Sequence, residues 1–345
     1  MDQTLLTILG VPVTGFGAAC ALSMLWVMLG AALWCRQTGT GYGPFIRLAL
    51  LSLPLGWLCS RLFFVLANCT YYLTTLSNPA LALRFWDGGY SVTGALAGLL
   101  LAALLAEQWT RLPRGRLLDA VGYGAPLGLM LLCLMERGTG LGLGRSVSGA
   151  LSFLGVSDGM GDLVHPVYLY QAAAAGALCI LLTVWMCRRG WEVPSGDLCL
   201  TSLTLMGCAQ VVLESLRNDG HMVVHFVRIQ QVVYLLMVLL ALLVCTRRLG
   251  RRGGMKKSHQ LLLWLVALCL VGVGVWMEFR VDRGALKLLY YSVMTLCMAL
   301  LGAMTLICRR RAEGLKKAYS LRLGHSLRQP LQLSRHRSSP RSSMG

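Results

Sequence analysis

The chain has 345 residues, of which 56% are hydrophobic and 13% are charged, and its mean hydropathy is +0.63. Because soluble domains carry about 25% charged residues, this composition excludes an ordinary soluble domain and indicates a polytopic membrane protein. The formal net charge of +18 also occurs in nucleic-acid-binding proteins, but the cations of this chain are not interleaved with aromatic residues. We therefore expect no nucleic-acid partner.

Mainly apolar stretches recur along the chain, and each approaches the roughly 20 residues that a helix needs to cross about 30 Å of hydrocarbon. The expected fold class is an all-α polytopic membrane protein with a core of seven spans and two C-terminal spans. In chain order, the predicted spans are 15–34, 48–66, 91–106, 117–135, 169–186, 198–213, 229–245, 261–277 and 288–308.

The loops between these spans alternate in positive charge. Of the 32 Lys and Arg residues, 23 lie on one side of the predicted membrane, concentrated at 247–257 and 309–341, and nine lie on the other. Since the cation-rich side of a membrane protein usually faces the cytoplasm, we expect an N-terminus outside the cell membrane and a cytoplasmic C-terminus. Attraction to anionic membrane lipids then accounts for much of the charge.

Three regions follow from these spans. Residues 1–246 form the predicted core, and 247–308 add two helices with a basic linker. Residues 309–345 form a basic cytoplasmic tail that we expect to be disordered, as its Ser/Arg-rich end at 327–345 indicates. Residues 1–14 lack a basic start and a cleavage site, so we expect the first span to be its own targeting signal.

The 13 cysteines form no C-x-x-C pair or Cys/His metal spacing, and we expect no metal or cofactor.

The first of three polar islands covers 68–94. Its Gly88-Gly89 pair predicts a turn, and Ser91 suits the N-cap of the third helix. Arg61, near the outer end of the second span, is costly in a membrane unless it is paired or faces a polar cavity. The competing interpretations are a structural turn for the glycines and snorkelling to the interface for Arg61.

The second island covers 136–170. It begins with Glu136 and Arg137, which are sequence neighbours and so point in different directions on a helix. Its glycine-rich run at 140–144 suits either close backbone approach to a ligand or a plain loop. His165 precedes a proline at the next span, which is a helix-start signal or part of a site.

The third island covers 214–228 and begins with Glu214 and Arg217. Their i, i+3 spacing places both side chains on one helical face, where an ordinary surface ion pair is the alternative to a functional role. Counting spans places all three islands on the same side of the membrane. We therefore interpret the islands as walls of one site.

These motifs together resemble the prolipoprotein diacylglyceryl transferases over about 8–243. The segment from Trp86 to Gly94 is similar to the family's W-x-G-G-x-S-x-x-G turn, and the segment from His165 to Tyr170 is similar to its H-P-x-Q-L-Y entrance. Glu214-x-x-Arg217 resembles its E-x-x-R segment. The resemblance implies transfer of diacylglyceryl from phosphatidylglycerol to the lipobox cysteine of prolipoproteins, with the prolipoprotein signal peptide and membrane lipids as partners.

The chain departs from the family where the chemistry is expected. The resemblance places Cys133 and Gln210 at the positions of two arginines, Thr93 at that of a histidine, and Phe16 at that of a tyrosine. Arginine binds phosphate through bidentate contacts that cysteine and glutamine cannot make. A catalytically inactive homologue that binds lipid or lipopeptide is therefore the alternative, and a small-molecule transporter is a third possibility.

The expected reaction needs groups that stabilise a leaving phosphate and generate a thiolate. In this diverged site we expect Glu136 or Glu214 to organise or deprotonate the acceptor, and Arg217 with Arg137 to hold the phosphate. The expected substrate-binding residues are Arg61, Asp87, Gly88, Gly89, Thr93, Arg145, His165 and Tyr170.

Overall fold

The computed structural model describes residues 4–8, 11–75, 82, 84, 89–147, 149–158, 160–220, 222–224, 227–281 and 286–335. Within this set, nine helices are long and apolar enough to cross a membrane, which confirms the predicted all-α polytopic fold. Of the predicted site residues, Asp87 and Gly88 lie outside the described set.

The helices extend beyond the predicted spans, mostly by a few residues at each end, because the polar residues that flank an apolar stretch complete the first and last turns. The helices are α1 Gly15–Gln37, α2 Tyr42–Ala67, α3 Val92–Thr110, α4 Arg114–Glu136, α5 Val167–Arg188, α6 Asp197–Leu216, α7 Ile229–Arg251, α8 Lys257–Val281 and α9 Lys287–Arg335.

Helix α9 differs most from expectation, since it continues to Arg335 through much of the segment expected to be disordered. The residues just after the apolar part include Arg, Ala, Glu, Leu and Lys, which are all good helix formers. A preformed helix therefore continues without a new nucleation step.

Glycines set the packing of the first four helices, with α1 against α4 and α2 against α3. A Cβ on Gly98 would lie 2.3 Å from the Leu55 carbonyl oxygen, and one on Gly124 would lie 2.2 Å from that of Val27. Small residues of this kind let helix backbones approach closely in membranes. Helix α6 is central, with 72% of its apolar segment buried, whereas α8 is peripheral, with 6%.

Short strands lie in the loops. An antiparallel hairpin, β1 Thr4–Ile8 with β2 Val11–Thr14, precedes α1. Between α4 and α5, β3 Leu143–Ser146 and β4 Val156–Ser157 both pair antiparallel with β5 Leu163–Pro166. A third pair, β6 Val223–Val224 with β7 Val227–Arg228, precedes α7.

The second and third polar islands meet on one side of the bundle, which we call the island side. The backbone of Gly144 in β3 bridges that of Arg217, and the N–H of Asn218 donates to the Leu143 carbonyl at 2.9 Å. The opposite side, which carries the loops with most cations, is called the basic side. The fold thus places Glu136, at the end of α4, near Arg217, which follows α6.

Candidate active site

Arg217 is the centre of a buried polar group on the island side. Its Nη1 lies 3.2 Å from a carboxylate oxygen of Glu136 and 3.7 Å from one of Glu214, and its Nη2 lies 2.6 Å from Asp219. The Arg217 side chain is only 3% exposed, and the side chains of the three acids are 4–8% exposed. One guanidinium thus holds three carboxylates together, and we call these four residues the carboxylate cluster.

The loop of the second island closes over this cluster. Gly142 donates its backbone N–H to Asp219 Oδ2 at 2.7 Å, and a Cβ at this position would lie 2.6 Å from a Glu136 carboxylate oxygen. Gly142 also has φ +73°, in the left-handed region that favours glycine. The glycine-rich run therefore approaches the cluster itself, which gives it a structural role.

Two glutamines complete the hydrogen bonding of the cluster. Gln171, at the start of α5, accepts from Arg217 Nη1 at 3.2 Å and donates to Glu214 at 2.9 Å and to Gln210 at 3.0 Å. Both glutamines are almost fully buried. Sequence reasoning missed Gln171 as a site residue, because its partners lie 39 to 46 positions away along the chain.

A second arginine supports Asp219 from outside. Arg228 Nη1 lies 3.2 Å from Asp219 Oδ1, and its Nη2 donates to the Arg217 carbonyl at 2.6 Å. Together with Gly142, these contacts turn the segment after α6 back over the cluster. Asp219 and Arg228 are therefore further members of the site that were not among the predicted site residues.

The charges of the cluster shift the pKa values of Arg217 and Asp219, which both lie outside the membrane-spanning segments. Burial lowers the pKa of the Arg217 guanidinium, but the carboxylates of Glu214, Glu136 and Asp219 outweigh burial and hold it well above its usual value. Burial raises the pKa of Asp219, but Arg217, the Gly142 N–H and Arg228 together outweigh burial and hold that pKa below its usual value. Both groups are therefore charged at neutral pH.

Carboxylates outnumber guanidinium groups around Arg217. Two arginines, Arg217 and Arg228, stand against three carboxylates, so a phosphate at Arg217 would meet negative charge at close range. This differs from the role expected from the sequence, where Arg217 holds phosphate. Arg217 instead contacts Glu136 and Glu214 directly and so restrains both side chains.

A large apolar cavity lies beside the cluster. It has a volume of about 430 Å³ and lies between α1, α2, α3 and α4, with single residues from α6 and α7. Because α1 packs on α4 and α2 on α3, the cavity occupies the space between the two helix pairs. Leu25 and Trp57 in its wall are half exposed on the outer surface of the bundle, so the cavity opens sideways where a membrane would lie.

Helix α4 connects the cavity with the cluster. Leu132 lines the cavity, and Glu136 follows four residues later on the same helical face. Tyr234 of α7 also lines the cavity and lies within the electrostatic reach of Glu214, Cys133 and Arg217. The cavity wall at Leu132 is therefore one helical turn away from Glu136 on α4.

Arg61 provides a separate positive charge near the island end of the cavity. It is 3% exposed, and it donates to the carbonyls of Ala82 and Gly89 at 3.2 Å each. Its guanidinium also lies 5.8 Å from the ring centroid of Tyr72. Its neighbour in sequence, Ser60, lines the cavity. This burial argues against the snorkelling interpretation.

Comparison with known proteins decides the family. The family model described as prolipoprotein diacylglyceryl transferase matches residues 3–247. The chain belongs to the prolipoprotein diacylglyceryl transferase family.

Related curated proteins carry the name phosphatidylglycerol–prolipoprotein diacylglyceryl transferase. They include one from Clostridioides difficile, 25% identical over 64% of this chain and 86% of the relative, and one from Bacillus velezensis, 24% identical over 66% and 83%. A relative from Methylocella silvestris is 33% identical over 45% of this chain and 56% of its own length.

The departures from the diacylglyceryl transferase motifs lie at different places in the structure. Cys133 is buried beside the charges of Glu136, Arg217 and Glu214, and Gln210 belongs to the glutamine network already described. Thr93 is fully buried and forms a 2.9 Å hydrogen bond with the Ser91 hydroxyl.

The other residues predicted from the diacylglyceryl transferase resemblance lie in β3 or close to the ends of helices. Arg137 is exposed at the end of α4, and Arg145 is half-buried in β3. His165 Nδ1 and the Tyr170 hydroxyl lie 3.2 Å apart, where β5 leads into α5. Gly89 has φ +76°, in the left-handed region that favours glycine.

The Ser91 cap of the third helix is also confirmed. Its hydroxyl accepts from the Gly94 N–H at 3.2 Å.

Proposed function

We propose that this chain transfers diacylglyceryl from phosphatidylglycerol to the lipobox cysteine of prolipoproteins, at the outer face of the cell membrane. Its family membership and the names of its relatives support the reaction class. The observation that carries the proposal for this chain is the apolar cavity that opens sideways and whose wall includes Leu132, one helical turn before Glu136 on α4. Acyl chains would enter such a space directly from the bilayer.

The proposed reaction follows from this arrangement. The acceptor thiol gives its proton to a carboxylate, and its sulfur attacks the glyceryl carbon that bears the phosphate ester. A C–S bond forms, the C–O bond breaks, and its electron pair leaves on glycerol-1-phosphate. We assign proton transfer to Glu136, because it shares a helical face with the cavity wall, whereas Glu214 is held by Gln171.

Arg217 acts in this scheme as a positioning residue. It fixes Glu136 and Glu214 in one place and offsets part of their mutual repulsion, so that one carboxylate can stay ionised in a buried site. Removal of this guanidinium would change both the protonation and the orientation of the base.

The phosphate is proposed to lie near Arg61. This residue is a buried cation that donates to the carbonyls of Ala82 and Gly89, and its neighbours Ser60 and Tyr90 line the cavity wall. A leaving phosphate there would gain a charge-assisted contact away from the carboxylates. The proposed roles thus move the phosphate from Arg217 to Arg61.

The alternative function is a homologue that binds lipid or lipopeptide without turnover. It is favoured by the hydrogen bonding of Arg217, whose guanidinium is enclosed by carboxylates and Gln171. It is also favoured by Cys133 and Gln210 at positions where the family resemblance expects arginine. A cavity that holds acyl chains would serve this function equally well.

Activity measurements on the full chain distinguish the two functions. The chain is reconstituted in liposomes with phosphatidylglycerol and a peptide that carries one lipobox cysteine, and glycerol-1-phosphate release is measured. Transfer predicts turnover that falls about 10²–10⁴-fold in Glu136→Gln, as expected for loss of a general base. Release in Glu136→Gln at the wild-type rate would refute the assigned base.

A matched pair of variants tests the phosphate position. Arg61→Gln is expected to lower turnover by about 10²–10³-fold, whereas Arg84→Gln removes an exposed arginine on the same side and is expected to leave turnover unchanged. Equal rates in these two variants would contradict the role of Arg61. Phosphatidylglycerol binding by the wild-type chain without any release would instead support the alternative function.

A further inference from the structure

A second cavity lies on the basic side, outside the proposed active site. It has a volume of about 230 Å³ and lies where α6 begins, α7 ends and α9 passes. At roughly 30 Å³ per water, it holds a phosphate-sized anion and a few waters but not a phospholipid's acyl chains. The charged residues that line it are Asp197, Arg248, Arg252, Arg309, Glu313 and Lys316.

Arg309 forms the buried floor of this cavity. It is 5% exposed, and its Nε and Nη1 atoms are buried with no hydrogen-bond partner among the described residues. Its nearest carboxylate contact is an ion pair of 3.5 Å between Nη1 and Asp197 Oδ2. A guanidinium with five donors is thus left with donors unsatisfied at a depth where each unmade hydrogen bond is costly.

The neighbouring acids are already engaged by other arginines. Arg248 Nη1 lies 2.9 Å from Asp197 Oδ1, and Arg189 Nη1 lies 2.7 Å from Glu313. Arg189 and Arg309 both lie over the Trp185 ring, at 5.4 and 4.8 Å from its centroid. Two carboxylates are therefore paired with three guanidinium groups, those of Arg189, Arg248 and Arg309.

The cavity carries an excess of positive charge. Four cations and two carboxylates line it, and the two exposed cations, Arg252 and Lys316, stand at its mouth. Arg252 also donates to the Ala312 carbonyl, which ties the end of α7 to α9. Cations from two helices thus face each other across one small space, and an anion between them would remove their repulsion.

We infer that this cavity binds a phosphate group, presented either by an anionic lipid headgroup or by free phosphate. Phosphate supplies several acceptor oxygens and up to two negative charges, which match the donors of Arg309 and the cations at the mouth. Arginine forks bind phosphate oxygens in bidentate geometry. The bound anion would join α9 to α6 and α7, and so dock the C-terminal spans on the core.

The test uses the full chain with two double variants of equal charge. R252Q/K316Q removes the cations at the mouth and leaves buried Arg309 in place. R251Q/R311Q removes exposed cations from the same two helices that do not line the cavity. If both double variants fail to purify as monodisperse protein, the changes have damaged folding. The single variants Arg252→Gln and Arg251→Gln are then compared instead.

Two probes separate the sources of the phosphate. Inorganic phosphate is titrated against the purified chain at constant ionic strength, with chloride as the reference. Phosphatidic acid is offered in phosphatidylcholine nanodiscs, and lipid retained by the chain is counted by native mass spectrometry. Phosphatidic acid lacks the glycerol headgroup, so the result does not depend on turnover of phosphatidylglycerol at the proposed active site.

We expect at least one probe to bind the wild-type chain and R251Q/R311Q equally, and R252Q/K316Q about tenfold or more weakly. Binding of inorganic phosphate would identify a site for free anions, and retention of phosphatidic acid alone would identify a lipid headgroup site. Equal binding by the two double variants, or no binding of either probe by the wild-type chain, would overturn the inference.

Discussion

Replacement of Arg217 by glutamine tests the physical basis of the carboxylate cluster. The change removes the guanidinium that contacts Glu136 at 3.2 Å, Asp219 at 2.6 Å and Glu214 at 3.7 Å. Loss of one partner from a buried ion pair costs about 3–5 kcal/mol, because a charge stays buried without compensation. Three carboxylates lose their common partner here, so we expect the free energy of unfolding to fall by about 5 kcal/mol. At about 2 °C per kcal/mol for a large chain, Tm falls by roughly 10 °C.

Thermal unfolding of the detergent-purified chain provides the measurement, with Arg137→Gln as the control. Arg137 is exposed, so its replacement is expected to change stability by less than about 0.5 kcal/mol. Adding Glu214→Gln to Arg217→Gln removes one of the charges that have lost their guanidinium partner and should restore part of the lost stability. A Tm for Arg217→Gln equal to that of Arg137→Gln, or strictly additive effects in the double variant, would refute this reasoning.

Three further predictions concern packing, pH and the cavity. Gly98→Ala forces a Cβ to within 2.3 Å of a backbone carbonyl and should destabilise the chain by about 1–3 kcal/mol; Gly272→Ala, with open space around it, should not lower Tm. The pKa of Asp219 is lower in the folded chain than in the unfolded chain. Its carboxylate therefore stabilises the fold above the unfolded pKa of about 3.9, and this stabilisation is lost as the pH falls through the folded pKa. Between about pH 5 and about pH 3 the Tm of the wild-type chain should therefore fall more than that of Asp219→Asn, and parallel profiles would contradict the pairing. Ala95→Phe fills the apolar cavity and should weaken phosphatidylglycerol binding roughly tenfold, whereas Leu101→Phe, on the exposed face of the same helix, should bind as the wild-type chain does.

The membrane fold was predictable because it depends on composition that is local in sequence. Each span is an apolar stretch of sufficient length, and Ser91 lies directly before its helix, so its capping role follows from position alone. The extension of α9 to Arg335 was not predicted, because a charged composition favours disorder in isolation but does not exclude continuation of a helix that is already formed.

The site was predictable only in part, because its decisive contacts are distant in sequence. The i, i+3 relation of Glu214 and Arg217 is visible in the sequence, and the structure places both in one cluster. The partner Glu136 lies 81 positions before Arg217, and no local pattern reveals that the two meet. Composition therefore located the polar islands, but only packing showed that Arg217 is enclosed by carboxylates.

Transfer itself is tested most directly by the mass of the acceptor peptide. The peptide with one lipobox cysteine is incubated with the full chain in phosphatidylglycerol liposomes, beside a peptide in which that cysteine is serine. The proposed function predicts a thioether-linked diacylglyceryl group on the cysteine peptide alone, with one glycerol-1-phosphate released per modified peptide. An unmodified cysteine peptide, recovered from a wild-type chain that still binds phosphatidylglycerol, would contradict it.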